Sequence, residues 1–396
     1  MVKKRKILLI SPTPTHPAIA GNRARVEALL SSMRAIGHDV YFLHVQSEHG
    51  DEDQMRRLWG ENFHSVPYSR PEHLSERVTR KLRMLVNPEA RYLYSIDEWY
   101  DPSLDRVLVD LQKKHKFDTV MVEYVFFSRA LECFGDEVLK IIDTHDMFTD
   151  RHRHYLNRGQ QPQWYSTSAR EEARGLNRAD VVIAIQDKER ESFSRLTRKK
   201  VITVGHLVPL HELRADRAIP GRMLFVGSDN PVNVAGIQYF IREVLPKVRE
   251  KVQDAALAVA GTVCRAIEDG PGILRLGMMD DLQPAYDAAH IVINPVFIST
   301  GLSIKNLEAL GQSKPLVTSP GGADGISDGI GSAFLVAQTP DELSALIVSL
   351  LTQAEMAAQL SKRAYEYASR RNTQAVDQLE SVLGERASPA RAVPVV

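Results

Sequence analysis

Cysteine, aromatic residues and long apolar runs are all scarce in this sequence. Its two cysteines, Cys133 and Cys264 of 396 residues, lie far apart, which excludes a disulfide framework and offers no metal-ligand spacing; that usage fits a reducing cytosol. No run reaches the roughly 20 apolar residues that span a bilayer. Charge of one sign is lacking as well: 50 basic and 50 acidic side chains give a formal net charge of +0. A global attraction to nucleic acid or to an anionic membrane is therefore unsupported, although a local patch stays open. What is present is aliphatic: 43% of residues are hydrophobic and only 7% aromatic, a soluble globular composition. The basic opening Lys3 to Lys6 followed by Ile7 to Ile10 imitates a signal sequence, but Ser11-Pro12-Thr13-Pro14 ends it at once, as a first buried strand would end.

The length calls for two domains. In the first half, Ile7 to Ile10, Val40 to Val45, Thr119 to Val122, Leu139 to Ile142 and Val181 to Ile185 read as strands. They alternate with helical patterns at Arg23 to Ile36, Leu104 to Lys114, Ser168 to Arg178 and Lys188 to Leu196, the rhythm of a parallel sheet covered on both faces. A second series follows the charged, Pro-containing stretch Leu210 to Gly221. Its strands are Met223 to Gly227, Ala255 to Ala260, Ile291 to Asn294 and Pro315 to Thr318, with helices at Val234 to Arg249, around Lys305, and through Asp341 to Leu383. The expected fold class is α/β, two doubly wound Rossmann-like domains facing a cleft. The N-terminal domain would span 1–208 and the C-terminal domain 209–365, with a helix over 366–384 crossing back and a disordered tail over 385–396. Between 48 and 100 the pattern weakens around a helix from Glu72 to Leu85. There Arg77, Arg80, Lys81 and Arg83 interleave with Val78, Leu82, Met84 and Leu85, either a solvated face or one that meets a membrane surface or a lipid-linked acceptor.

The segment Ser299 to Gly311 carries the most chemistry. It places Thr300, Gly301, Leu302 and Ser303 ahead of Lys305 and Glu308 in an apolar helix start. Unpaired N–H groups, the helix dipole and Lys305 suit an anion, and Glu308 suits sugar hydroxyls. Ser303 reads as an N-cap or a phosphate contact, and Asn233 as a ligand contact or a helix cap. Gly21, ahead of a helix, lets backbone approach a phosphate or acceptor, or simply opens the helix. Glu123, Tyr124 and His145 follow strand ends, where such sheets bind ligands; Asp146 would orient His145 or cap the next helix. His152 and His154 lack further ligands for a metal.

Taken together these segments resemble the retaining, group 1 (family 4) glycosyltransferases of the GT-B fold. The resemblance rests on Phe225-Val226-Gly227-Ser228, Asn233, Gly236 to Phe240, Leu276-Gly277, Asp281-Leu282 and Thr300 to Gly311. The first half adds Gly21-Asn22-Arg23, Asp143-Thr144-His145-Asp146 and Arg178-Ala179-Asp180. Many members carry two glutamates eight positions apart; Glu308 fits the second, but Thr300 stands at the first. The loop is similar to a subgroup reading Gly-Thr-Gly-Leu-Lys-Ile-Lys, with Ser303 at the first lysine and Lys305 at the second. The diphosphate-clamping cations common after the first C-domain strand are missing from Gly227 to Asn233, which leaves Lys305, helix N-termini and an N-domain residue such as Arg23 to carry the charge.

The resemblance implies transfer of a sugar from a nucleoside diphosphate sugar to a hydroxyl, with retention and without a metal or other cofactor. Donor contacts would come from Gly227, Ser228, Asn233, Thr300, Gly301, Leu302, Ser303, Lys305 and Glu308, with His145 and Lys305 at the reacting centre. Gly21, Asn22, Arg23, Glu123, Tyr124 and Asp146 would serve the acceptor or the phosphates. The expected setting is the cytoplasm, with a glycan or lipid-linked acceptor, no nucleic acid, and peripheral contact with the inner membrane face. A nucleotide-sugar epimerase of the same fold and a non-catalytic sugar-nucleotide binder remain the alternatives.

Overall fold

The computed structural model describes residues 4–18, 20–69, 74–157, 159, 161–162, 164–297 and 301–384, with backbone alone at 74–77, 83 and 215. Thr300 and the tail 385–396 lie outside the described residues. The chain divides into two compact units. Of the described residues, one holds 4–18, Asn22–Gly205 and Ala375–Gly384; the other holds 20–21 and His206–Gln374. The first division therefore falls three residues before the expected 208, and the return falls at Ala375 rather than at 366.

The first unit is a seven-stranded sheet in the order β3-β2-β1-β4-β5-β6-β7. Its strands are β1 (Lys6–Ser11), β2 (Asp39–Gln46), β3 (Phe63–Pro67), β4 (Thr119–Glu123), β5 (Leu139–Asp143), β6 (Val181–Ala184) and β7 (Lys200–Thr203). Every pairing is parallel. The central strands are apolar on both faces, Ile7 to Ile10 and Val120 to Val122 being wholly buried, because helices cover both sides of such a sheet. The core that includes Leu8, Val120, Phe126, Phe148 and Tyr165 collects many of the chain's few aromatics.

The second unit is a six-stranded sheet, β10-β9-β8-β11-β12-β13. Its strands are β8 (Arg222–Val226), β9 (Ala256–Ala260), β10 (Ile273–Gly277), β11 (Ile291–Asn294), β12 (Leu316–Thr318) and β13 (Leu335–Val336), again all parallel. The single helix expected from Val234 to Arg249 is two, Pro231–Tyr239 and Leu245–Lys251, joined by a π-helical turn over Phe240–Val244. Pro246 lacks the N–H that an unbroken α-helix would use there. The long C-terminal pattern is likewise two helices, Pro340–Thr352 and Ala354–Gly384, bent by 101°. Among the described residues, no single helix is long and apolar enough to cross a membrane.

Candidate active site

In the first sheet the strand order reverses between β1 and β4, so the segments leaving their carboxyl ends border the crevice where open α/β sheets take ligands. β4 ends on Glu123 and β5 on Asp143, side by side in register and both fully buried. From the Gly21–Ala35 helix, buried Arg25 reaches Asp143 through Nε to Oδ2 at 2.7 Å and Nη2 to Oδ1 at 2.6 Å. Nη2 also donates to the Val204 carbonyl at 3.1 Å. His145, two residues beyond β5, sets Nε2 against the Glu123 carboxylate, with Asp143 Oδ2 3.5 Å away.

The charges of this quartet cancel when His145 and Glu123 share one proton. Burial, reinforced by Asp143, pushes the Glu123 carboxyl up to about 7. Burial works against the charge on His145, but Glu123 and Asp143 outweigh it and hold the imidazole above its ordinary value. Asp143 is also buried, yet Arg25 keeps it below the usual carboxylate range. With the shared proton at Nε2, Nδ1 is the ring nitrogen that Glu123 leaves unengaged. The ligand atoms of Glu123, Asp143 and His145 lie within 4.8 Å of one another, close enough to hold a cation. Here the Arg25 guanidinium takes both Asp143 oxygens and supplies that positive charge.

Tyr124 stacks on His145 with ring centroids 4.2 Å apart and meets Trp164 edge-on at 5.4 Å. All three hold left-handed backbone, φ 68° at Tyr124, 58° at His145 and 70° at Trp164. For bulky side chains such geometry costs about 1–3 kcal/mol each and gathers at functional sites.

The remaining residues expected in this unit are engaged differently. Asn22 donates to Thr13 Oγ1 at 3.4 Å, and Arg23 is tied to Glu48 at 3.4 Å and to the His49 carbonyl at 2.9 Å. Asp146 neither orients His145 nor caps the Arg151–Leu156 helix; it pairs with Arg151 at 2.9 Å, and Asp150 occupies the cap position. His152 faces Ser166 at 2.9 Å and Glu89 at 3.4 Å. Gly21 opens its helix and groups with the second unit.

The second sheet reverses between β8 and β11, and the loops after those two strands are Gly227–Asn233 and the segment leading to Lys305. Asn230, not Asn233, caps the Pro231–Tyr239 helix, accepting from the Asn233 N–H at 2.8 Å. That leaves the Asn233 side chain to donate to the Ser228 carbonyl at 3.0 Å and to accept from Lys305 Nζ at 2.6 Å. The Lys305 ammonium also stands 4.7 Å from the centre of the Phe225 ring. Burial pulls its pKa down to about 8, with Glu308 opposing the shift. Burial raises Glu308, against the pull of Lys305 and the Tyr286 phenol.

Ser303 precedes the Ile304–Gly311 helix without capping it through its side chain. Its hydroxyl instead accepts from Asn294 Nδ2 at 3.1 Å. Asn294 also donates to Asn306 Oδ1 at 2.9 Å, and Asn306 Nδ2 donates to the Gly322 carbonyl at 2.7 Å. Sequence reading missed this buried amide pair and Arg25. A polar Asn306 between the apolar turns of a short helix was the available signal.

Residues 220–353 match the family model of glycosyl transferases group 1, a stretch that contains both loops of the second unit. Solved structures match over nearly the whole chain. HepE of Anabaena in complex with UDP and glucose has a TM-score of 0.62 at 14% identity, covering 95% of this chain and 100% of that one. The pneumococcal O-GlcNAc transferase GtfA in complex with UDP and GlcNAc gives 0.66 at 9%, covering 96% and 98%. Sucrose-phosphate synthase of Thermosynechococcus elongatus gives 0.66 at 13%, covering 95% and 98%.

The fold is GT-B. Within this GT-B chain, Lys305 and Glu308 belong to the second unit and the His145 quartet to the first. A Klebsiella pneumoniae relative, an uncharacterized 44.6 kDa protein in the cps region, is 23% identical over 366 residues, 84% of this chain and 87% of that protein.

Proposed function

We propose that the chain is a glycosyltransferase that moves a sugar from a nucleoside diphosphate sugar to a hydroxyl, with retention and without a metal. The observation that carries this reading is the trio Lys305, Glu308 and Asn233 at the switch point of the sheet that matches group 1 glycosyl transferases. Lys305 is a half-buried cation bonded to a neutral amide, with Glu308 the carboxylate that acts on it, so a diphosphate would add the negative charge that offsets its burial. Glu308, one turn on, accepts hydroxyls of the ribose. In the first unit His145 Nδ1 contacts the transferred sugar and Asn22, Glu123 and Tyr124 shape the acceptor side, while Gly21, which groups with the second unit, opens the helix that carries Asn22. The leaving diphosphate takes the acceptor proton, and the protein's part is to orient both substrates and stabilise developing charge.

HepE and GtfA hold UDP, which makes UDP-sugars the first donors to test. The cps-region relative supports a role in cell-surface polysaccharide or glycoconjugate synthesis. The acceptor is then a glycan or lipid-linked glycan met in the cytoplasm. Peripheral membrane contact falls to the Leu74–Val86 helix, where Val78, Leu82, Leu85 and Val86 are 56%, 60%, 82% and 90% exposed beside exposed Lys81, the makeup of an interfacial helix. Incubation with a panel of UDP-sugars and an acceptor extract tests the reading. Release of UDP with an extended acceptor supports transfer, whereas isomerised donor without acceptor or binding without turnover overturns it.

A further inference from the structure

Beside the His145 quartet, and wholly within the first unit, lies a cavity of about 150 Å³. Its walls are aromatic, Tyr68, Trp99, Tyr124, Phe126, Phe127 and Trp164, while Thr13, Ser47 and Glu48 provide the polar part of its lining. The arrangement is organised rather than incidental. Tyr124 stacks on Phe126 at 5.1 Å, Trp164 meets Tyr124 and Phe126 edge-on at 5.4 and 6.0 Å, and Trp99 meets Phe126 at 5.5 Å. The polar groups are held too: Thr13 Oγ1 donates to Glu48 Oε1 at 3.3 Å, and Ser47 Oγ donates to the Pro12 carbonyl at 2.8 Å. Trp164 remains 42% exposed, a large aromatic left open at a pocket where burial would normally be favoured.

The geometry points to a subsite for the acceptor's terminal sugar ring, an uncharged pyranose; this rests on the transferase reading above. A pyranose has C–H-rich faces that fit aromatic rings and a perimeter of hydroxyls that must find partners once water is displaced. Aromatic walls answer the first need, and the Glu48 carboxylate with the Thr13 and Ser47 hydroxyls answers the second. The volume holds one ring. An extended lipid chain would gain nothing from the carboxylate and would bury it with only Thr13 and Arg23 as partners. Tyr124 both lines the pocket and stacks on His145, so one ring joins a sugar seated there to the proposed reacting centre.

Two of the chain's three tryptophans line the cavity; the third, Trp59, is buried elsewhere and donates to Thr15 Oγ1 at 3.1 Å. Intrinsic fluorescence therefore reads the pocket directly. Titration of the full chain with a panel of neutral methyl pyranosides is expected to give a saturable change with at least one of them, kept in Trp59→Phe. Trp164→Ala should weaken it ~10-fold or more, Trp164→Phe should restore part of the loss, and Glu48→Gln should weaken it less. UDP affinity should not move in any of the three pocket variants. The assignment is overturned if no pyranoside in the panel binds, if Trp164→Ala binds as well as wild type, or if farnesyl phosphate competes for the site more strongly than the sugars. Loss of UDP binding to the wild-type protein would instead strike the transferase reading, because pyranoside binding needs no nucleotide.

Discussion

Lys305 Nζ donates to Asn233 Oδ1 across 2.6 Å, joining the first turn of one helix to the first turn of another, each following a central strand of the second sheet. An ammonium bonded to an amide oxygen keeps its whole charge for a ligand. Replacing Lys305 by Met should therefore weaken UDP binding ~10-fold or more while leaving the melting temperature nearly unchanged. Calorimetry and a thermal melt on the same sample check both halves.

The same lysine sets a pH dependence. Its pKa lies at about 8, so the amine is charged below pH 8 and loses its proton above. A bound diphosphate favours the charged form and raises the pKa. Above the ionisation of UDP's own terminal phosphate at about pH 6, UDP affinity should hold to about pH 7.5 and fall above 8.5, with proton uptake on binding near pH 8.5. Titrations in two buffers of different ionisation enthalpy measure the uptake, and Lys305→Met should abolish it.

Glu308→Ala should weaken nucleotide binding by about 1–3 kcal/mol, the scale of a hydrogen bond to a charged group. Affinity for free diphosphate should change little. A ribose-less competitor such as pyrophosphate separates the two.

For Glu123 and His145 the signs run together. The folded values of Glu123 and His145 both lie above the ordinary ones, so the native state holds more protons than the unfolded chain. Their contribution to stability is greatest at low pH and declines as pH rises from about 4.5 through 7. Asp143, held low, acts oppositely and loses its contribution only in acid. Glu123→Gln should remove the decline between pH 5 and 7.5, seen as a flatter melting temperature against pH than wild type. It should also slow turnover and shift its pH profile, since Nε2 loses its carboxylate. His145→Ala should slow transfer with UDP affinity nearly intact.

Leu82→Glu with Leu85→Glu should cut sedimentation with anionic vesicles of phosphatidylglycerol and phosphatidylethanolamine several-fold. Activity on a soluble acceptor should be unchanged, as both side chains are exposed.

Central strands were legible in the sequence because both of their faces are buried, giving the continuous apolar runs Ile7 to Ile10 and Ile291 to Ile293. Edge strands were not. Ile273–Gly277 exposes most of its length, and Phe63–Pro67 and Lys200–Thr203 are mostly half-buried, so none of the three shows the continuous apolar run of a central strand. Lys305 and Glu308 could be found because their neighbours in sequence already form a helix start. Arg25 could not: its partner Asp143 is 118 residues away, and an arginine in the middle of an amphipathic helix gives no sign of whether it faces solvent or core. The Asn294–Asn306 pair was half hidden: Asn306 stands out between apolar turns, but its partner does not show until β11 and the helix after it are brought together. The helix caps illustrate the finer limit, since Asn230 and Asn233 are both plausible caps and only backbone position separates them.

The three left-handed residues around the Tyr124 ring have a consequence for engineering. Glycine adopts that backbone without steric strain, so Trp164→Gly, at a side chain that is 42% exposed and outside the buried quartet, would relieve strain even as it deletes a wall of the pocket. Selection for heat tolerance alone should accept glycine at such a position far more readily than selection for turnover. A thermostabilised descendant of this chain that had lost activity would then have lost it where the backbone is least comfortable.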